Sequence, residues 1–222
     1  MSVVALVPAA GRGERLGADL PKALVSVAGA PLLVHAVRGL LESGCVDHVV
    51  VAAPPTHVSQ TIALLSGLTP VTVVAGGADR TSSVRLTLDH AVPSDTVALV
   101  HDAARAFTPA AVIERVVAAV QAGKPAVIPV LPVTDTIKQV DASGVVTATI
   151  DRSSLRAVQT PQGFAIDVLR QAHASAADTA TDDATLVERL GIPVHTVEGH
   201  PHALKITTPH DLAIAESHLP HP

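Results

Sequence analysis

The sequence predicts an α/β fold in which a mostly parallel sheet carries helices on both faces and a β-arm protrudes from the body. Short, continuously apolar runs alternate with longer segments whose apolar residues recur every three or four positions. These are the patterns of strands buried on both faces and of amphipathic helices. The alternation stops after residue 131, where half-polar segments begin. We therefore expect one domain over residues 1–222, with the arm at about 132–158.

The regular elements of the body follow one another as strand and helix. Strands are predicted at residues 3–7, 48–53, 71–75, 96–100 and 126–130, and helices at residues 31–44, 56–67, 80–92 and 108–123. Thr108 and Pro109 are suited to the N-cap and the first helical position of the last helix, and Gly123 follows its end. Strands that alternate with helices favour a parallel sheet covered on both faces.

The arm is predicted from a segment that does not fit this alternation. Residues 132–158 contain Asp141-Ala142-Ser143-Gly144, a sequence typical of a hairpin turn. A hairpin that leaves the body has few partners within its own chain. We therefore expect the arm to contact a second copy and to form a homodimer.

Two C-terminal segments are interpreted as helix starts and are left out of the candidate site. Thr181 is predicted to begin a helix, with Asp182 and Asp183 placed favourably against the helix dipole. The sequence at residues 208–211 resembles a capping box with proline at the first helical position, in which Asp211 is the capping acid.

The composition excludes several classes of protein. The chain has 222 residues, of which 48% are hydrophobic and 16% charged, enough for one substantial core. A net charge of −5 and an aromatic content limited to two phenylalanines argue against a nucleic-acid partner. No apolar run reaches the length of a membrane span. The single cysteine, Cys45, cannot form an internal disulfide, so we expect a cytoplasmic protein. Together with the charge, the aromatic content and the short apolar runs, this predicts neither a nucleic-acid nor a membrane partner.

The glycine-rich loop after the first strand does not match the common phosphate-binding loops. Gly11 and Gly13 begin a dinucleotide fingerprint, but Leu16 occupies its third glycine position and no acidic residue ends the second strand. A Walker loop needs Ser or Thr after Gly-Lys, whereas Pro125 follows Lys124. These mismatches exclude an NAD-dependent dehydrogenase and a P-loop enzyme.

This loop is nevertheless suited to hold phosphates. The backbone N–H groups of Gly11 and Gly13 can approach anionic oxygens closely. Arg15 can bind phosphate oxygens with its fork of donors, and Lys22 adds a compact positive charge. The alternative is an ordinary solvent-exposed basic loop.

Charged residues also follow the other predicted strands, at the edge where open α/β sheets bind ligands. Asp102 is a candidate Mg²⁺ ligand, or else an acceptor in a local turn, and Arg105 can hold a phosphate. The glycine pair before Ser82 and Ser83 allows close backbone approach. The cations at these strand ends and on the arm are Arg15, Lys22, Arg105, Arg152 and Lys205, five of the chain's 15. That number suits a nucleoside triphosphate, a phosphorylated acceptor and a metal.

Six motifs together resemble one enzyme family. VPAAGRGERL with PKAL, GGADRTSSV, VHDAAR, PVTDTIK, DRSSLRAVQTPQGF and LKIT occur in the order found in the 2-C-methyl-D-erythritol 4-phosphate cytidylyltransferases. The resemblance covers essentially the whole chain. It implies a Rossmann-like nucleotidyltransferase that dimerises through the β-arm. With Mg²⁺, such an enzyme converts CTP and 2-C-methyl-D-erythritol 4-phosphate into 4-diphosphocytidyl-2-C-methyl-D-erythritol and pyrophosphate.

The resemblance also implies roles for individual residues. Arg15 and Lys22 would stabilise the transition state, while Asp102 would lie at the metal and the acceptor. The nucleotide-binding residues implied by the motifs are Ala9, Ala10, Gly77 and Ser83, beside Gly11 and Gly13 of the loop. The acceptor-binding residues implied are Asp102, Arg105, Thr136, Lys205 and Arg152, the last reaching the site from the partner subunit.

Several alternatives remain open at this point. A related cytidylyltransferase for ribitol 5-phosphate or a similar polyol phosphate would differ only in its acceptor contacts. A sugar-1-phosphate nucleotidyltransferase that uses UTP is more distant, and a non-catalytic nucleotide-binding module belongs to another class. Ala78 stands where the family pattern leads us to expect an acidic residue, and Ala106 where it leads us to expect a proline.

Overall fold

The structure is a computed structural model and describes residues 1–11, 20–176 and 180–217. The strands of these ranges are β1 Ser2–Pro8, β2 Ser26–Val27, β3 Ala30–Pro31, β4 His48–Ala53, β5 Val71–Ala75, β6 Asp95–Val100, β7 Ala126–Pro132, β8 Ile137–Val140, β9 Val146–Ile150, β10 Arg156–Val158, β11 Gln162–Ala165 and β12 Val194–Glu198. The helices are α1 Leu32–Glu42, α2 Val58–Leu65, α3 Arg80–Leu88, α4 Ala110–Gln121, α5 Ile166–Ser175, α6 Asp183–Arg189 and α7 Pro209–Ser217.

Eight strands of the described residues form the central sheet. The strands β6, β1, β4 and β5 lie side by side and parallel, as the alternation of strands and helices predicts. On the other side of β6, β11 is antiparallel and joins β6 to β7. β7 also pairs with β12 in parallel and with β10 antiparallel. The prediction of a mostly parallel sheet is confirmed.

The core lies on both faces of this sheet because its strands alternate two apolar sets of side chains. In β1, Val3, Ala5 and Val7 pack with α1 and α4 on one face, whereas Val4 and Leu6 pack with α3, α5 and α6 on the other. Side chains of adjacent strand residues point to opposite faces, so an uninterrupted apolar run fills both layers. The prediction that helices cover both faces is therefore confirmed.

The predicted arm contains a hairpin that stands outside the central sheet. β8 and β9 pair only with each other among the described residues, and Ile137 lies opposite Ile150. The arm predicted at about 132–158 is nevertheless longer than this hairpin. Residues 156–158 form β10, which returns to the sheet beside β7 because its backbone completes the ladder there.

Two predictions about helix ends fare differently. Thr108 as N-cap of α4 is wrong: Pro109 occupies that position, and the Thr108 hydroxyl donates to the Arg105 carbonyl at 3.0 Å instead. The capping role of Asp211 is confirmed, since its Oδ2 accepts from the backbone N–H groups of Thr207 and Thr208, both at 2.8 Å.

Across the described ranges, no helix has the length and apolar character needed to cross a membrane.

Candidate active site

A cavity of about 300 Å³ opens at the carboxyl ends of the parallel strands. Its walls come from the segments that follow β1, β5 and β6, together with Lys205 from a more distant segment. The sequence-predicted residues that line it are Ala9, Ala10, Gly11, Lys22, Gly77, Ser83, Asp102 and Lys205. Eight residues predicted from separate motifs thus share one cavity, at the sheet edge where α/β folds bind ligands.

The segment after β1 forms one wall. Ala9 continues the ladder by one bond, since its N–H donates to the Ala52 carbonyl at 2.8 Å. Lys22 begins a short 3₁₀ helix whose next two residues, Ala23 and Leu24, are buried. This burial fixes the backbone from which the Lys22 side chain leaves. Gly13 and Arg15, which belong to the predicted phosphate loop, lie outside the described residues.

The start of α3 forms a second wall and uses its two serines differently. Asp79 is the N-cap, and Ser82 completes a capping box with it. The Ser83 hydroxyl instead accepts from the Gly77 N–H at 3.1 Å and donates to the Asp79 carbonyl at 2.8 Å. Space at Gly77 is tight, because a Cβ there would lie 2.3 Å from the Ser82 Oγ. Ser82 is therefore structural, while Gly77 and Ser83 line the cavity together.

The segment after β6 forms the third wall, where Asp102 contacts two cations. Its Oδ1 lies 3.3 Å from the Nε of Arg80 and its Oδ2 lies 2.7 Å from the Nζ of Lys205. Burial alone would raise the pKa of Asp102, but the charges of Arg80 and Lys205 outweigh it and hold that pKa far below its usual range. The carboxylate is therefore ionised at neutral pH.

Three of the predicted acceptor-binding residues do not line the cavity. Arg105 donates from Nη1 to the Ala203 carbonyl at 2.6 Å and from Nη2 to the Val158 carbonyl at 3.0 Å. Its guanidinium thus holds β10 and the segment before Lys205, and burial lowers its pKa. Thr136 and Arg152 are exposed at the base of the arm, where Arg152 donates to the carbonyl of Thr134.

Arg80 is a cavity residue that the sequence analysis missed. It is the first residue of α3, lines the cavity and contacts Asp102. Its Nη1 also lies 2.6 Å from the Oδ2 of Asp183, whose side chain is buried. Arg80 was visible in the sequence, three residues after the glycine pair. The partner was not, because Asp183 follows 103 residues later.

The predicted start of α6 must be corrected, whereas Asp183 does lie in its first turn, as predicted. α6 begins at Asp183 rather than at Thr181, and its N-cap is Asp182, which accepts from the Thr185 N–H at 3.0 Å. Asp183 makes no such capping bond within the described residues. Its carboxylate points instead to Arg80 and His173.

Comparison with known proteins decides the family. The family model described as 2-C-methyl-D-erythritol 4-phosphate cytidylyltransferase matches residues 3–221. The chain belongs to this family. A family member from Saccharopolyspora erythraea is 68% identical over 223 residues, covering 99% of this chain and 100% of that protein. One from Nocardia farcinica is 59% identical over 218 residues, covering 98% and 94%.

Solved structures of the cytidylyltransferase family share the fold. The crystal structure of the 2-C-methyl-D-erythritol 4-phosphate cytidylyltransferase from Thermus thermophilus superposes with a TM-score of 0.79 at 39% identity, covering 98% of each chain. A 4-diphosphocytidyl-2C-methyl-D-erythritol synthase from Anaerococcus prevotii, at 23% identity, gives a TM-score of 0.84 over 97% of each chain. The resemblance drawn from six motifs is confirmed, as is the α/β fold it implied.

Proposed function

We propose that the cavity at the carboxyl ends of β1, β5 and β6 is where this chain carries out the reaction of its family. That reaction transfers the cytidylyl group from CTP to 2-C-methyl-D-erythritol 4-phosphate and releases pyrophosphate. One observation carries the assignment to this cavity: Lys22, Lys205 and the ionised Asp102 line it together with Gly11. Cations for phosphates and a carboxylate for a metal are what such a transfer needs.

The nucleotide is assigned to the walls formed after β1 and β5. Ala9, Ala10 and Gly77 offer backbone without bulky side chains, and Ser83 offers a hydroxyl to the base. Gly11 lies at the mouth and, with Gly13 beyond the described residues, suits the triphosphate. Arg15, also outside the described residues, is placed on the phosphates by the motif it shares with the family.

The acceptor and a metal are assigned to the wall formed after β6. Lys205 would bind the phosphate of the acceptor, and Asp102 would present a carboxylate oxygen to Mg²⁺. One ionised carboxylate fits this ion, because Mg²⁺ in nucleotide sites takes one or two carboxylates and completes its shell with phosphate oxygens and water. When bound, Mg²⁺ would neutralise the charge of the triphosphate.

The proposed step is a direct, in-line displacement. A phosphate oxygen of the acceptor forms a bond to the α-phosphorus of CTP, while the bond from that phosphorus to the oxygen bridging the β-phosphate breaks. The electron pair leaves with pyrophosphate, so no covalent enzyme intermediate is needed. The side chains act by orienting the two substrates and by stabilising the negative charge, Lys22 and Arg15 at the reacting phosphates.

The arm supports a homodimeric enzyme in this proposal. Arg105 does not line the cavity and bonds the Ala203 carbonyl, and Thr136 and Arg152 are exposed at the base of the hairpin. A second copy placed on the arm would let Thr136 and Arg152 contact the acceptor of the neighbouring site, with Arg105 bracing the wall. We further propose that the enzyme acts in the cytoplasm, where CTP is available.

The test is pyrophosphate release from CTP and Mg²⁺ with three parallel additions: 2-C-methyl-D-erythritol 4-phosphate, ribitol 5-phosphate and no acceptor. We expect release with the first alone, and no release when ATP or UTP replaces CTP. Release with ribitol 5-phosphate instead would keep the chemistry and change the acceptor. CTP binding without release under any condition would overturn the proposal in favour of a nucleotide-binding module.

A further inference from the structure

A chain of charged and polar groups leads from the cavity wall to two buried residues, Asp183 and His173. It begins at Asp102, passes through Arg80 to Asp183 and ends at His173 on α5. The Nε of Arg80 lies 3.3 Å from Asp102 Oδ1, and its Nη1 lies 2.6 Å from Asp183 Oδ2. The Nε2 of His173 lies 2.9 Å from Asp183 Oδ1. The chain therefore links one cavity wall to two residues that do not line the cavity.

Asp183 has no evident role in capping α6. Its side chain is 1% exposed, and burying a carboxylate costs free energy unless it is paired. The capping of α6 is already done by Asp182. Both oxygens of Asp183 face outside partners, one on Arg80 and one on His173. Although Asp183 lies in the first turn of α6, its two oxygens are thus bonded outside that helix.

Two carboxylates fix the guanidinium of Arg80 from two directions. A planar guanidinium held at Nε and at Nη1 cannot rotate without breaking one of the two contacts. The guanidinium is cationic, since arginine is not deprotonated in proteins. Among the described residues, no hydrogen bond engages its Nη2. Arg80 is thus a fixed cation, with donors unused in this part of the chain, in the wall that also carries Gly77 and Ser83.

We propose that Arg80 binds a phosphate group of the nucleotide, and that Asp183, held by His173, is the positioning residue that keeps Arg80 in place. This inference rests on the function proposed above. Without the charge of Asp183, Arg80 would keep Asp102 as its one anionic partner among the described residues and would turn toward it. Its donors would then leave the nucleotide, and Asp102 would be partly covered.

The test is a double-mutant cycle read out by CTP affinity, measured by calorimetry with Mg²⁺ and without acceptor. Arg80→Ala should weaken CTP binding by about 10–100-fold and Asp183→Asn by about 10-fold, since hydrogen bonds to charged groups are the strong ones. The decisive prediction is non-additivity. In the Arg80→Ala background, Asp183→Asn should change CTP affinity less than about twofold, because the residue through which it acts is gone.

The matched control is Asp182→Asn, the same substitution at the preceding residue. Asp182 bonds Thr185 and Gln162 but not Arg80, so its variant should bind CTP like the wild type. If Asp183→Asn does not fold, His173→Phe removes the hydrogen bond to Asp183 and can replace it in the cycle.

Three results would overturn the inference: unchanged CTP affinity in Arg80→Ala, unchanged affinity in Asp183→Asn, or additive losses in the double variant. Because CTP affinity is measured without acceptor, these outcomes are independent of turnover. An enzyme that binds CTP but releases no pyrophosphate would defeat the proposed function and still leave the cycle decisive for Arg80 and Asp183.

Discussion

At the scale of single residues, opposed effects set the charge of Asp102. Its side chain is 12% exposed, and such burial favours the neutral acid. Arg80 and Lys205 lie within 3.3 and 2.7 Å of its two oxygens and favour the carboxylate. The two cations outweigh burial, so the cavity contains an ionised carboxylate between two positively charged side chains. Under the proposed function, that contrast would let one cavity bind both phosphates and a metal ion.

Lys22 is the described residue for which we expect the largest effect on the chemical step. Lys22→Ala should lower kcat by about 10²–10³-fold, the usual consequence of removing one preorganised electrostatic contact to a transition state. Steady-state pyrophosphate release with saturating CTP and acceptor measures this effect. A thermal unfolding curve controls for folding. If kcat stayed within a few-fold of the wild type in a folded variant, Lys22 would have no role in the transition state.

Asp211 provides a prediction about acid stability. The Thr207 hydroxyl, together with the backbone N–H groups of Thr207 and Thr208, outweighs burial and lowers the pKa of Asp211 to about 2. A lowered folded-state pKa stabilises the protein above the unfolded value near 3.8, and this contribution is lost as the pH falls through 2. Asp211→Asn should therefore cost about 1 kcal/mol at neutral pH, as a helix cap does. It should also reduce the loss of stability between pH 4 and 2.

Urea unfolding at several pH values checks the prediction for Asp211. The matched control is Asp167→Asn, in the first turn of α5, where the aspartate accepts no hydrogen bond from a backbone N–H of the described residues. Its effect should be smaller, since its contact with Arg170 is an exposed ion pair. Equal effects at neutral pH, or an unchanged acid slope in Asp211→Asn, would contradict the capping role.

At the scale of elements, the turn between β5 and α3 carries the glycine that the cavity needs. A Cβ at Gly77 would lie 2.3 Å from the Oγ of Ser82 and 3.1 Å from its backbone carbon. Ser82 cannot move away freely, because its hydroxyl and N–H are bonded to Asp79 in the capping box. Gly77→Ala should therefore displace the start of α3.

We expect Gly77→Ala to weaken CTP binding by about 10-fold and to destabilise the fold by about 1–3 kcal/mol, as overpacking does. Calorimetry with CTP and urea unfolding measure the two effects. Gly67→Ala is the matched control, because a Cβ there meets no atom within 4 Å and should leave both quantities near the wild-type values. Wild-type CTP affinity in Gly77→Ala would show that this turn does not shape the nucleotide site.

The parallel strands and their helices were predictable because each is encoded locally. The apolar runs at 3–7 and 48–53 lie within β1 and β4, and the 3.6-residue periodicity gives α1 and α4. Strands of three or four residues are not encoded in this way. β10 and β11 are too short for a period and depend on the ladder that β7 and β6 offer them.

In the candidate site too, residues marked by the local sequence could be predicted, whereas tertiary contacts could not. Asp102, Lys22 and Lys205 could be predicted because strand ends and motifs mark them. Arg80 and Asp183 were missed because their pairing joins positions 103 residues apart. The same holds for Arg105: its charge was visible, but its use of the carbonyls of Ala203 and Val158 depends on the tertiary fold.

At the scale of the whole molecule, the hairpin of β8 and β9 has apolar surface that the described residues leave exposed. Val140, Val145 and Val146 are 55%, 61% and 54% exposed, and Val140 lies opposite Val146 across the hairpin. A two-stranded hairpin alone is marginally stable in water. A second copy that packs on these valines would stabilise the arm and bring Arg152 to the neighbouring cavity, which joins the assembly to the chemistry.

We therefore expect a dimer whose loss also removes activity. Replacing residues 138–149 with Asn-Gly joins Ile137 to its cross-strand partner Ile150 by a two-residue turn and removes the valines. Sedimentation should give a dimer for the wild type and a monomer for this variant. Pyrophosphate release should fall by at least about 10-fold, because Arg152 no longer reaches the cavity of a second subunit. Val146→Asp should act in the same direction, whereas Ile62→Asp, at an equally exposed residue of α2, should stay dimeric and active. A monomeric wild type would show that the arm does not mediate a dimer. An active monomer without the hairpin would show that the arm is not needed for the reaction.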